Sequence, residues 1–383
     1  MPMNVQGLVE RMIQDGAFRR VINNPLAFLG SNVRSYKGAE LLPERTVPEN
    51  SYTEELIEYR TIIANDGTRY SPAQKKGGVL IGSVKVDLGY QDAASEFTSQ
   101  AYDALIRLLE QETGRQGVEG GEVSRSTIQA MASMTNWSDV TLMRPLLEVI
   151  EKQRWQAIID GSVVRSGDNG YTEIVSYPNP TSHRVSAGGN WSNDSYDPYL
   201  DIMAQFELLA AKGFVINRIL TTQAVISILA KNAIMRARCG HITVKASDNT
   251  VNNTPAGRAS LDRINEQLRS DGLPALERYD LQYRTNTGTT KFMSSTVSGE
   301  VFVMVCTTGR DQTIDRGDLE PLIIPNTLGY AAIGRAAGQS GPGRAQYVRF
   351  VDGKPPRVEG QSWQASLPVI QSPEAIAVIR GIQ

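Results

Sequence analysis

At 383 residues the chain exceeds the usual size of one domain, so about two or three compact units are expected. Its 39 Lys and Arg nearly balance 41 Asp and Glu, interspersed rather than blocked, which disfavours a dedicated nucleic-acid binder. A hydrophobic share of 40% excludes a disordered chain, and apolar runs such as Ala224–Ala230 fall short of the about 18 residues a membrane span needs. Glu10 and Asp15 break any basic-then-apolar order at the start, so no signal peptide is expected. Cys239 and Cys306 are too few for a disulfide framework and are expected as reduced, buried thiols of a soluble protein.

Residues 1–50 combine one helical stretch (Val9, Met12, Ile13, Phe18, Val21) with Asn23, Asn24, Pro25, Pro43 and Pro48, and predict an extended arm. Two β-rich runs follow, Tyr59–Ile63 and Val79–Val86, around Asn65-Asp66-Gly67, Tyr70-Ser71-Pro72 and Lys75-Lys76-Gly77-Gly78. They predict a long hairpin with a polar tip, too poor in large apolar groups to stand alone. Phe97–Leu109 predicts a helix with Tyr102, Leu105, Ile106 and Leu109 on one stripe, broken by the glycines of 114–121. Pro145 opens a further helix to Asp160, about 24 Å long, that Gly161 closes. Arg154 and Trp155 within its stripe point to a helix that meets several partners along its length.

From Asp168 to about Thr327 the pattern is mixed α and β. Asp197-Pro198 starts a helix with Ile202, Phe206 and Leu209 on its stripe, ended at Lys212-Gly213. Phe214–Thr221 predicts a strand, Gln223–Arg238 one helix, and Leu261, Ile264 and Leu268 another. Tyr279–Arg284 and Thr290–Met293 predict a hairpin, and the wholly apolar Val301–Thr307 a central strand. Strands are expected at Gln346–Val351, Gln361–Leu367 and Ala375–Ile379, with 330–360 largely an extended loop.

Little in the chain suggests reaction chemistry. His183 and His241 are the only histidines, so His-based catalysis has little to draw on. Cys239-Gly240-His241 lacks the paired spacing of a structural zinc site. Gly334, Gly338 and Gly341 lack the Gly-Lys-Ser/Thr of a phosphate-binding loop. Asp311, Asp315, Asp318 and Glu320 could gather a hard cation, but Arg310 and Arg316 among them favour a solvated loop. Asn193 and Asp194 invite the same suspicion, while Asp197 is spent as a helix cap. Arg19 and Arg20 read as an exposed helix face or a site for an acidic partner. No catalytic residue, metal or cofactor is expected.

The order of these segments resembles the major capsid proteins of tailed phages, in the family of the lambda major head protein with the Hong Kong 97 capsid fold. The resemblance runs through the hairpin tip Tyr70-Ser71-Pro72-Ala73-Gln74-Lys75-Lys76-Gly77-Gly78 and the helix Glu151–Gly161. It continues through Trp191-Ser192, Asp197–Ile202, Gly213–Thr221 and Tyr279–Tyr283 with Gly288 and Phe292, and ends at Trp363, Leu367–Ile370 and Ser372–Ile379.

The resemblance implies an α+β fold with an N-terminal arm at 1–50, an extended hairpin at 51–92 and a peripheral domain at 93–168 around a spine helix. An axial domain at 169–345 and closing strands at 346–383 complete it. It implies a non-enzymatic subunit that assembles with copies of itself, as pentamers and hexamers, into the icosahedral head of a virion around double-stranded DNA. Assembly in the host cytoplasm goes with this, with scaffold, portal and decoration proteins as further partners it admits and no membrane. Expected inter-subunit contacts are Tyr70, Lys75, Lys76, Arg154, Trp155, Arg19, Arg20, Arg335 and Arg344, the last two on a loop at the inner end of the axial domain. The rivals are an encapsulating compartment of the same fold, and a cation-dependent enzyme using 311–320.

Overall fold

The computed structural model describes residues 5–14, 35–58, 79–97, 100, 103–104, 106–107, 125–167, 172–240, 258–285, 288–295, 299–306, 312–316, 319–324, 328–352 and 356–382. The first half contains α1 (Val5–Gln14), α2 (Lys37–Leu41), β1 (Glu44–Thr46), β2 (Ser51–Glu58), β3 (Val79–Asp87) and β4 (Gly89–Glu96). After these come α3 (Arg125–Ser138), α4 (Arg144–Asp160), β5 (Ser162–Ser166), β6 (Thr172–Ser176) and β7 (Arg184–Ser186). Then follow α5 (Pro198–Ala211), β8 (Arg218–Thr221), α6 (Gln223–Lys231), α7 (Ala233–Arg238), α8 (Leu261–Ser270), β9 (Leu276–Arg278), β10 (Gln282–Thr285) and β11 (Gly288–Lys291). The chain finishes with β12 (Val301–Val305), β13 (Gln312–Arg316), β14 (Leu319–Ile324), β15 (Gly329–Ile333), β16 (Ala345–Val351), β17 (Arg357–Ile370) and β18 (Ile376–Arg380).

The predicted Pro145 helix starts earlier than its proline. α3 and α4 run into each other through a π-turn at Asp139–Met143, where the Arg144 N–H reaches back five residues to the Asp139 carbonyl. Proline has no N–H to give and its ring crowds the carbonyl one turn back, so the widened turn accommodates Pro145 without ending the helix. At the far end Gly161 adopts φ +69°, and a Cβ there would lie 2.0 Å from the Asn179 amide nitrogen. Asn179 Nδ2 donates to the Gly161 carbonyl at 2.9 Å and Arg184 to that of Ile158 at 3.1 Å, so donors complement the helix C-terminus.

β17 is the axis of the first sheet. One edge pairs antiparallel with β4, and the other with β16 and then β15, to which β1 adds in parallel. Its inner face carries the long helix. Ser362 donates to the Leu142 carbonyl at 2.7 Å and Gln364 to that of Leu146 at 3.1 Å. Gly360 lets the helix come close, because a Cβ there would meet the Leu142 side chain at 2.5 Å. α1 closes this end through Leu8, Val9 and Met12 against Phe97, Met134, Leu142, Val348 and Val358. The expected arm thus contains a helix docked on the body, while Arg19 and Arg20 lie outside the described residues.

The second sheet has the order β7-β18-β12-β8-β9. Every residue of β12 is buried because both faces are covered: Val301, Val303 and Val305 face the core of α4, and Phe302 and Met304 face α5–α8. That double cover is why the strand is an unbroken apolar run.

Four expectations need correction. The helix predicted over Gln223–Arg238 breaks at Asn232, whose backbone (φ −54°, ψ 130°) leaves the helix while its side chain accepts from the Ile234 and Met235 N–H groups to start α7. The loop expected at 330–360 contains β15, β16 and the start of β17. The loop expected at 311–320 enters two antiparallel strands, β13 and β14, with Asp311 and Asp318 outside the described residues. The segment 169–345 is no separate unit either, since β15 joins the first sheet and β18, from the tail, joins the second.

Trp155 is fully buried in the core of α4 and stacks on Tyr279, with centroids 5.2 Å apart. Trp155→Ala is expected to cost about 3–5 kcal/mol, measured as the loss in denaturant stability of the soluble subunit.

Candidate functional site: a buried clasp and the surfaces around it

Glu151, Arg154 and Trp155 share one face of α4 at i, i+3 and i+4. Glu151 has no exposed surface, yet it is fully provided with donors. The Gly38 N–H, the Trp155 Nε1–H and the Tyr279 hydroxyl each donate to it at 2.8 Å, and Arg154 approaches at 3.4 Å. Gly38 allows this because a Cβ there would sit 2.7 Å from the carboxylate. Burial, then the Glu151 charge, push the Tyr279 phenol well above its usual range and keep it a donor. Arg154 continues the chain of charges to Glu44 at 3.7 Å, and Glu44 accepts from Arg344 at 2.6 Å. Arg344 also donates to Gln364 at 2.8 Å, which closes the network on β17.

A second cluster holds the other side of α2. Arg218 on β8 forms a two-pronged pair with Glu277 on β9, at 2.7 and 2.6 Å, and meets Glu40 at 2.9 Å. Lys37 reaches Glu277 at 2.8 Å. α2 is therefore tied to the long helix through Gly38 and to the second sheet through Lys37 and Glu40. The helical layer has its own fastener in Asn232, whose Nδ2 reaches the carbonyls of Trp191, Asn193 and Tyr196 at 3.0–3.1 Å. Asp194 accepts from the Ala233 N–H and Asp197 from the Tyr199 N–H, so these suspected cation ligands are occupied as helix caps.

The expected contact residues fare differently. Arg154 and Trp155 are corrected: both are buried within this chain, so neither offers a surface to another copy. Arg344 is mostly enclosed by Glu44 and Gln364. Arg335 is exposed, and Asn50 holds its backbone N–H and carbonyl at 2.7 and 2.9 Å. This loop is thereby fixed to the first sheet. Tyr70, Lys75 and Lys76 lie outside the described residues.

Surfaces that sequence reading missed are apolar. Trp363 sits on the outer face of β17, with Tyr90 and Tyr347 on the flanking strands diagonal to it, and Tyr90, Ala93, Ala94, Ala337 and Trp363 line a groove of about 460 Å³. Exposed aromatic groups of this kind suit protein contact rather than chemistry. Their signal was the alternation in Ala345–Val351 and Gln361–Leu367, but alternation does not say which face stays open. His183 is buried with Nδ1 against the Ile376 carbonyl at 3.1 Å. Burial pushes the Cys306 thiol up to about 12, away from the thiolate a nucleophile needs.

Residues 115–299 match the family model described as phage major capsid protein E. Among solved structures, a protein described as a prophage capsid protein from E. coli CFT073 is 14% identical, with 94% of this chain and 99% of that one covered, at a TM-score of 0.53. A phage-related protein from Bordetella bronchiseptica RB50 is 12% identical over 92% of this chain and 94% of that one, at a TM-score of 0.49. No curated protein matches the sequence.

Two outcomes follow from the clasp. Glu151→Gln puts an amide donor among three donors and weakens the balance of Arg154, so it is expected to cost about 3–5 kcal/mol in denaturant unfolding. Burial alone would raise the Glu277 carboxyl, but hydrogen bonds from Arg218 and Lys37 overcome it and pull it down to about 2 from an ordinary 4.5. A depressed carboxyl stabilises above its unfolded value and loses that contribution on acidification. Subunit stability is therefore expected to fall between pH 4.5 and 2, and an acid titration of Glu277→Gln should lack that part of the loss.

Proposed function

We propose that the chain is a major capsid protein of a tailed phage, with the Hong Kong 97 capsid fold and a structural role, and that its parts divide the work of building the shell as follows. The first sheet with α3 and α4 serves as the peripheral body, and the second sheet with α5–α8 as the axial body. Copies meet in rings of five and six and enclose double-stranded DNA through non-specific contact. Assembly takes place in the host cytoplasm, with scaffold, portal and decoration proteins as occasional partners.

The observation that carries this reading is the β2–β3 ribbon. Its two strands pair antiparallel over Ser51–Glu58 and Val79–Asp87, the Leu88 N–H donates to the Asn50 carbonyl at 2.8 Å across its base, and the chain then enters β4 of the first sheet. Two-stranded ribbons are marginal in water by themselves. The base of this one rests on its own chain through Tyr52, Val84 and Val86, and a surface on another molecule is proposed for its tip. The tip residues Tyr70, Lys75 and Lys76, together with Arg335, are proposed to reach neighbouring copies, and Arg19 and Arg20 to do so from the arm. Many modest contacts of this sort add up in a closed shell, because each new one forms at high effective concentration. Net charge near zero keeps repulsion between copies small.

Deleting Thr68–Gly77 is expected to leave a folded, soluble subunit that forms no shells under the electron microscope. Normal shells from the deletion variant would remove the ribbon from the assembly mechanism.

A further inference from the structure

Helices at a protein surface normally turn charge toward water. α5 does not. Tyr199, Ile202 and Leu209 bury one side, while Leu200, Ala204, Glu207 and Ala211 fall in one narrow arc on the other and are all exposed. Leu200 is 60% exposed, and Val215, just past the turn at Gly213, is 73% exposed. Glu207 is the single charge on that arc and has no ion-pair partner among the described residues.

A patch of opposite character lies elsewhere in the same layer. The Ala259 N–H donates to the Ala230 carbonyl at 2.9 Å, which brings Lys231 and Arg258 to either side of one hydrogen bond, close to Leu261 at the start of α8. All three residues are exposed, and neither cation has an ion-pair partner among the described residues. One patch is apolar around a carboxylate, and the other sets an apolar side chain beside two cations.

We propose that the outer face of α5 docks on the Lys231–Arg258–Leu261 patch of a second copy of this chain, a contact that rests on the shell-forming reading above. The pairing is head-to-tail, because a two-fold contact of α5 with itself offers Glu207 no cation, whereas the other patch offers two. Head-to-tail contacts are the ones that close rings. Leu200 supplies the apolar anchor, and Glu207 sets the register against the two cations.

The test uses the full-length chain, with shells counted by electron microscopy and sedimentation at fixed subunit concentration. Glu207→Lys should lower shell yield by at least about tenfold while leaving the subunit's thermal midpoint unchanged. Adding Lys231→Glu and Arg258→Glu to that variant should restore the yield. Wild-type yield from Glu207→Lys, or no recovery in the triple variant, would overturn the contact alone. A wild-type chain that stays monomeric at every concentration would overturn the shell-forming reading, and this contact with it.

Discussion

A carboxylate with no access to water must be surrounded by donors or its burial is costly, and Glu151 meets that condition with groups from three separate parts of the chain. Gly38 comes from the N-terminal segment, Trp155 from the same helix and Tyr279 from the end of β9, the edge strand of the second sheet. None of these can move without leaving a buried charge unsatisfied. The constraint thus fixes where α2 lies, how α4 is rotated, and how closely the two cores approach. Burying a charge contributes little net stability, but it penalises every alternative arrangement of its donors. What a shell subunit requires is a reproducible shape, and the clasp serves that end.

Rigidity is unevenly distributed as a result. β12 is sandwiched between two apolar layers, and β17 is paired on both edges while its inner side chains hold the carbonyls of the long helix. α2 is tied to the long helix through Gly38 and to the second sheet through charges at 2.8–2.9 Å. The base of the β2–β3 ribbon is held to this frame by Tyr52 and Glu54 on Tyr330 and by Val86 in the core, while the outer face of α5 has few partners of its own. A stiff body bearing open, adaptable contacts suits a protein that must meet copies of itself in slightly different settings.

Much of the frame was legible in the residues. Gly161 stops the long helix, Asp197-Pro198 starts α5, and the apolar run at Val301 marks the central strand, because each signal acts within a few residues. The clasp was not legible. Glu151 stands in Glu-Lys-Gln-Arg, which resembles a solvated face, and its decisive partners are 113 and 128 residues away. Asn232 was hidden in the same way, since an asparagine inside an apolar stretch gives no sign that it will satisfy carbonyls 36 to 41 residues upstream. β1 and β15 escaped notice because strands of three and five residues, one polar and one rich in small side chains, owe their form to pairing rather than propensity. The capsid resemblance rested on the order of segments, a property that survives when single motifs are weak.

The most direct test of this account is a side-chain-resolution cryo-electron microscopy reconstruction of particles formed by the full-length chain. A closed shell is expected, in which Gly38, Glu151, Trp155 and Tyr279 keep the same contacts in every independent copy while the ribbon and the α5 face adapt to their neighbours. Discrete small particles, or a shell in which the clasp is open in some copies, would contradict it.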